Sequence, residues 1–246
     1  MEPTATGNNR TGAARAAAGV KLMLDAVEEF SPPIPVNTRQ IDAERQQYIT
    51  DANAIGSIPP TKAEGKARKG RSAAAAPALD VFLDKLGERI AFERTGVRLY
   101  DALITKYLAL SNAEEVHDDT ALQALQKIRA DELAHFSLLC ECVKSIGGDP
   151  TAQTPCADVA GAASIGLMQV ITDPRTTLAQ SLNAILTAEL TDNAAWEMLS
   201  ELAHQAGHAQ LAEQFAVALE NETEHLATIR TWLESLLMNN AGSPAV

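Results

Sequence analysis

The stretch Asp131-Glu132-Leu133-Ala134-His135-Phe136 sets a carboxylate and an imidazole three residues apart, inside a segment whose apolar residues recur at helical spacing. Steps of three and four through it give Leu125, Ile128, Glu132, His135, Leu139, Cys142 and Ile146, which is one face of an α-helix. Glu132 and His135 therefore lie on the line that turns inward. Burying two such groups costs free energy unless something answers them.

Further along the chain the pattern returns. Leu211, Phe215, Ala218, Glu222, His225, Ile229, Trp232 and Leu236 repeat the same stepping, again with Glu-x-x-His on the apolar line. Two other helical lines carry acid without histidine. One reads Leu86, Ile90, Glu93, Val97, Tyr100, Ile104, Tyr107; the other reads Leu178, Leu182, Ile185, Glu189, Asp192, Trp196, Leu199, Ala203.

Helix punctuation places these lines. A first helix is expected from Pro77 to about Leu110 and a second from Asp119 or Thr120 to Ile146, stopped by Gly147-Gly148-Asp149-Pro150. The third is expected to open at Asp173-Pro174 and break near Gly207, and the fourth to run from Ala209 to about Leu237. The short turn between the first two predicts antiparallel neighbours. The connection from Gly147 to Thr172 is long enough to run the length of the bundle, with room for a short helix over Ala157 to Ile171. The fold expected is all-α: an antiparallel four-helix bundle over residues 77–240, with a long crossover between its second and third helices.

Residues 1–76 read as an extension, with weak helices over Arg10 to Phe30 and Arg39 to Ala54. A basic linker carrying Lys62, Lys66, Arg68, Lys69 and Arg71 follows, and residues 241–246 read as a tail.

A formal charge of −12 argues against a nucleic-acid partner, because phosphate binding needs a basic face. There is no run of about 20 apolar residues to span a membrane. Three cysteines, Cys140, Cys142 and Cys156, form neither a disulfide framework nor a C-x-x-C metal pair, and a cytoplasmic setting is expected. His204 and His208 read as solvated, and His117 as a loop residue.

The inward polar set is thus Glu93, Glu132, His135, Glu189, Glu222 and His225, each near the middle of its helix. Four carboxylates match the charge of two divalent cations. Salt bridges from Arg89, Arg129 or Arg230 on flanking faces are the other way to neutralise them. Four uncompensated buried carboxylates would cost several kcal/mol each.

One Glu from each of two helices and Glu-x-x-His from each of two more resembles the ferritin-like di-iron carboxylate superfamily, over roughly residues 77 to 237. The resemblance implies two iron ions, or alternatively manganese, bridged by Glu132 and Glu222. Glu93 and Glu189 would be terminal ligands, and His135 and His225 would each give one nitrogen. It also implies a redox or hydrogen-bonding role for Tyr100. Asp192 would be an additional ligand or a hydrogen-bond partner of a ligand histidine. The chain looks like a rubrerythrin's ferritin-like domain without its rubredoxin domain, oxidising ferrous iron or reducing dioxygen or hydrogen peroxide with electrons from a donor the sequence does not identify. A homo-oligomer is compatible with this. A metal-stabilised structural or stress-response scaffold without turnover is the alternative.

Overall fold

The computed structural model describes residues 17–31, 38–56, 75–114 and 119–242. The basic linker and His117 lie outside the described residues. The chain divides into two units, Met1–Ala54 and Ile55–Val246. The first contains α1 (Ala17–Phe30) and α2 (Arg39–Asp51). Leu22, Met23, Leu24, Val27 and Phe30 of α1 are all more than half exposed, and α2 buries no residue.

The second unit contains α3 (Ala75–Glu114), α4 (Asp119–Ser145), α5 (Pro155–Thr172), α6 (Leu178–Gln205) and α7 (Ala209–Gly242). All described regular structure is helical. Two apolar clusters fix how the helices run. The first joins Phe82, Leu86 and Ile90 from the early part of α3 to Leu139 and Cys142 from late α4, Trp196 and Leu199 from late α6, and Ala212 and Phe215 from early α7. The second joins Leu99 and Leu103 from later in α3 to Leu125 and Ile128 of early α4, Leu182 and Ile185 of early α6, and Ile229 and Leu233 of late α7. Hence α3 and α7 run one way and α4 and α6 the other.

Since α4 and α6 are parallel, the chain must return the full length of the bundle between them. It does so as α5, which lies along the outside of α3. At its start the Thr154 hydroxyl caps the helix by accepting from Ala157 N–H at 3.3 Å and donates to the Asp84 carbonyl at 3.2 Å, while Cys156 N–H donates to Asp84 Oδ1 at 2.9 Å. Gly87 of α3 makes this approach possible, because a Cβ there would collide with the Thr154 side chain. At the far end Lys106 Nζ donates to the Asp173 carbonyl at 2.9 Å and to Ser181 Oγ at 3.0 Å, tying α3 to both α5 and α6.

Several boundaries differ from the sequence expectations. The crossover helix starts at Pro155 rather than Ala157 and ends at Thr172 rather than Ile171, because Thr154 and Pro155 supply a cap and a first-turn proline. Asp173 ends α5 instead of opening α6; Thr177 caps α6 through a reciprocal bond with Gln180. α3 extends past Leu110 to Glu114, and α7 reaches Gly242, so the expected tail at 241 begins inside a helix. In α3, Leu99 and Leu103 are buried while Val97, Ile104 and Tyr107 are only half-buried. Packing α5 against α3 covers a second side of that helix, so a single line of residues does not describe its core.

Thr154→Ala removes a helix cap and the bond to Asp84 together; urea unfolding is expected to show a loss of about 1–2 kcal/mol. An unchanged midpoint would show that the start of α5 does not anchor the crossover.

Candidate metal centre

Between the two apolar clusters lies a layer of charge. Glu93 on α3, Glu132 and His135 on α4, Glu189 and Asp192 on α6, and Glu222 and His225 on α7 are all buried. Each sits mid-helix with apolar residues a turn or two above and below, so the periodicity that buries Leu139 and Ile128 also buries Glu132 and His135. The six residues expected as ligands come together in one place.

Glu222 stands between the two imidazoles. Its Oε1 is 2.6 Å from His135 Nδ1 and its Oε2 3.2 Å from His225 Nδ1, with the ring centroids 6.2 Å apart. Glu93 Oε2 lies 3.8 Å from His135 Nδ1, and Glu132 Oε1 lies 3.8 Å from His225 Nδ1. Ligand atoms of Glu132, Glu189, Glu222 and His225 all fall within 4.8 Å of one another, as do those of Glu93, His135 and Glu222. A third such group is Glu93, Glu132, Asp192 and Glu222. Glu222 is common to all three.

The unpaired atoms point the same way. Among the described residues, Glu93 Oε2, Glu132 Oε2 and Glu189 Oε2 are buried acceptors with no hydrogen-bond partner, whereas Glu222 Oε1 and His135 Nδ1 meet each other; Arg89 Nε and Trp196 Nε1 are buried donors without one. Orphaned buried acceptors each cost about 1–3 kcal/mol, more when charged. A hard dication takes such lone pairs, and a set of carboxylate oxygens and imidazole nitrogens without thiolate suits iron or manganese. The residues present therefore fit a metal.

Electrostatics describe the protein without that cation. Burial raises the carboxyl pKa of Glu93, Glu132 and Asp192, Glu132 and Asp192 well above the ordinary range. Burial, with the charge of Glu222, pushes Glu189 to about 8. Burial also acts to raise Glu222, but hydrogen bonds from His135 and His225 outweigh it and hold that group down to about 2. His225 rises to about 8, because its bonds and attraction to Glu222 overcome burial.

The surrounding side chains fix these groups. The Tyr100 hydroxyl donates to Glu189 Oε1, leaving Oε2 bare. Of the three arginines considered from sequence, Arg89 reaches the layer; it is 1% exposed, and its Nη2 donates to both Glu93 Oε1 and Asp192 Oδ1. Arg129 instead pairs with the exposed Asp101 at 2.9 Å, and Arg230 faces solvent. Asp192 is thus held by a guanidinium rather than by a ligand histidine. The guanidinium lies over Phe92, 4.6 Å from the ring centroid, and 5.6 Å from that of Trp196. Trp196 is fully buried and packs edge-on to His135 at 5.4 Å, closing the layer from the first cluster.

Three contributors escape a reading by periodicity. The outer nitrogen of His225 lies 3.1 Å from Asp131 Oδ2, and that of His135 lies 3.4 Å from the Asn221 carboxamide. Both partners sit beside the buried line. Gly96 gives Glu132 its space, since a Cβ there would overlap the carboxylate; a glycine inside a helix, three residues after Glu93, was the available signal. His204 is exposed, as expected, whereas His208 is half-buried and stacks on Phe82 at 5.7 Å. Cys140 and Cys142 stand apart from the layer.

Five buried acids and two imidazoles thus converge between the helices of an all-α bundle, with donor atoms close enough together to hold a metal. The family model described as "Ferritin-like domain" matches residues 83–235, and the chain belongs to that family. No curated protein and no solved structure matches it.

The metal-free protein is expected to lose stability as pH rises from about 5 to about 8. Glu93, Glu132, Glu189 and Asp192 have raised folded-state pKa values, so they contribute most below the ordinary carboxylate range and lose that contribution as they ionise; His225 changes in the same direction. Glu222 acts oppositely, but its contribution is lost only as pH falls toward about 2. Melting curves of chelator-treated protein measure this; a midpoint rising over that range contradicts it. Gly96→Ala gains about 1 kcal/mol of helix propensity yet is expected to melt lower, because the methyl displaces Glu132.

Proposed function

We propose that this chain binds a dinuclear iron centre, or alternatively a manganese one, and uses it to oxidise ferrous iron or to reduce hydrogen peroxide or dioxygen. The observation that carries the reading is the set of bare, buried oxygens of Glu93, Glu132 and Glu189 gathered with the two imidazoles around Glu222. In this assignment Glu93 and His135 would hold one ion and Glu189 and His225 the other, with Glu132 and Glu222 available to both. When bound, two ferrous ions supply two electrons to an oxidant.

The protein's own groups prepare that chemistry. Arg89 and Tyr100 each occupy one oxygen of a terminal glutamate, so Glu93 and Glu189 present a single bare oxygen. With a metal bound, Asp131 would accept from His225 Nε2–H, leaving the Nδ1 lone pair for the ion and making it more basic. Trp196 and Leu199 on one side and Ile128, Ile185 and Ile229 on the other keep bulk water out. Tyr100, bonded to Glu189, can pass a proton or an electron to the centre.

No C-x-x-C pair occurs in the sequence, so the reading assigns re-reduction to an external donor. An apolar cavity of about 190 Å³ lies in the second cluster, lined by Leu103, Tyr107, Leu125, Leu182, Trp232 and Leu236 among others. It touches none of the six ligand residues, so oxidation of an organic substrate has less support.

The wild type is expected to bind two iron ions per chain, Glu222→Ala to lose both, and Glu132→Ala to lose at least one. Metal analysis after anaerobic loading tests this. Adding oxygen or peroxide is then expected to consume the ferrous signal and raise near-ultraviolet absorbance. Fewer than two bound ions per wild-type chain overturns the dinuclear centre; two bound ions inert to both oxidants overturn the redox role and favour a scaffold.

A further inference from the structure

The two halves of the layer are not electrically alike. On the Glu93 side, Arg89 puts a permanent positive charge in contact with Glu93, fully buried and flanked by Phe92 and Trp196, where no water screens it. Asp192 lies on the same guanidinium, so this side carries two carboxylates and one cation besides the shared glutamates. The outer nitrogen of its histidine, His135, meets only the neutral carboxamide of Asn221.

On the Glu189 side the neutral hydroxyl of Tyr100 takes the place of the guanidinium. The outer nitrogen of His225 meets a carboxylate, Asp131. Lys127 shares that carboxylate at 2.7 Å, but its side chain is 62% exposed and its charge is screened by solvent. With the shared Glu132 and Glu222 set aside, Glu93, Asp192 and Arg89 sum to −1 and so do Glu189, Asp131 and Lys127; the sides differ in that the Arg89 cation is buried against Glu93, whereas Lys127 sits in solvent behind Asp131. A carboxylate behind a ligand histidine strengthens the ligand, and such partners change metal affinity about 10–100-fold.

We infer that Arg89 and Asp131 make the two cation positions unequal, so that divalent metal fills the Glu189–His225 position first and the Glu93–His135 position only afterwards. Arg89 acts here as a positioning residue. It offsets the fifth buried carboxylate, holds Glu93 by one oxygen and weakens the position beside it. The inference rests on the proposed dinuclear centre and concerns the order in which it fills.

Manganese titration of the full chain, followed by electron paramagnetic resonance, tests the order without turnover. One equivalent of Mn²⁺ is expected to give the isolated-ion signal, and a second equivalent to replace it with the spin-coupled signal of a pair. His225→Ala is expected to lose the tight step, whereas His135→Ala keeps it. Asp131→Asn changes a partly exposed group and is a mild substitution for folding. It is expected to weaken the first step about 10-fold or more, so that coupled signal appears before one equivalent. Arg89→Gln is expected to tighten the second step, with Arg89→Lys closer to wild type. Coupled signal growing in proportion from the first addition, or loss of the tight step in His135→Ala rather than His225→Ala, overturns the inference while leaving the dinuclear centre intact. Fewer than two ions at saturation in the wild type overturns both.

Discussion

Five carboxylates share one buried layer, and the rest of the bundle is arranged around making that tolerable. Glu93, Glu132, Glu189, Asp192 and Glu222 are each at most 2% exposed, in a region where mutual repulsion is barely screened. Arg89 and the two imidazoles answer part of the charge. The oxygens left bare are those that face the middle of the layer, which is why the same geometry that strains the metal-free protein suits it to hold cations.

The architecture follows from bringing these groups to one level. Four helices can each offer a mid-helix residue to a common layer only if apolar clusters above and below hold them in register, and the two clusters do this at either end. The parallel relation of α4 and α6 then forces a full-length return. Building that return as a capped helix on the outside of α3 keeps its backbone hydrogen bonds satisfied, and Gly87 lets it approach closely.

The centre has unlike ends. Tyr100 and Arg89 lie on the same helix, respectively seven residues after and four before Glu93, and reach opposite terminal glutamates. One is a neutral hydroxyl whose proton is held more firmly than in an ordinary phenol because of burial and the nearby Glu189; the other is a fixed charge caged by aromatic rings. The layer therefore has a direction, with a hydroxyl donor on the Glu189 side and a buried positive charge on the Glu93 side.

The sequence by itself determined the helical class, the approximate extents of the four main helices, the parallel crossover and the six residues that meet in the layer. Helical periodicity is local, and a polar residue on an otherwise apolar line announces its own burial, as Glu132, His135, Glu222 and His225 do. Tertiary structure alone decided which side chains come in from beside those lines. Arg89 reaches Asp192 across more than a hundred residues, and Asp131 meets His225 from another helix. Such contacts depend on how neighbouring helices are rotated and spaced, which no pattern within a single helix encodes. The same reason explains why Leu99 and Leu103, rather than Val97 and Ile104, are buried in α3: a second helix covers it, and only the packed structure shows on which side.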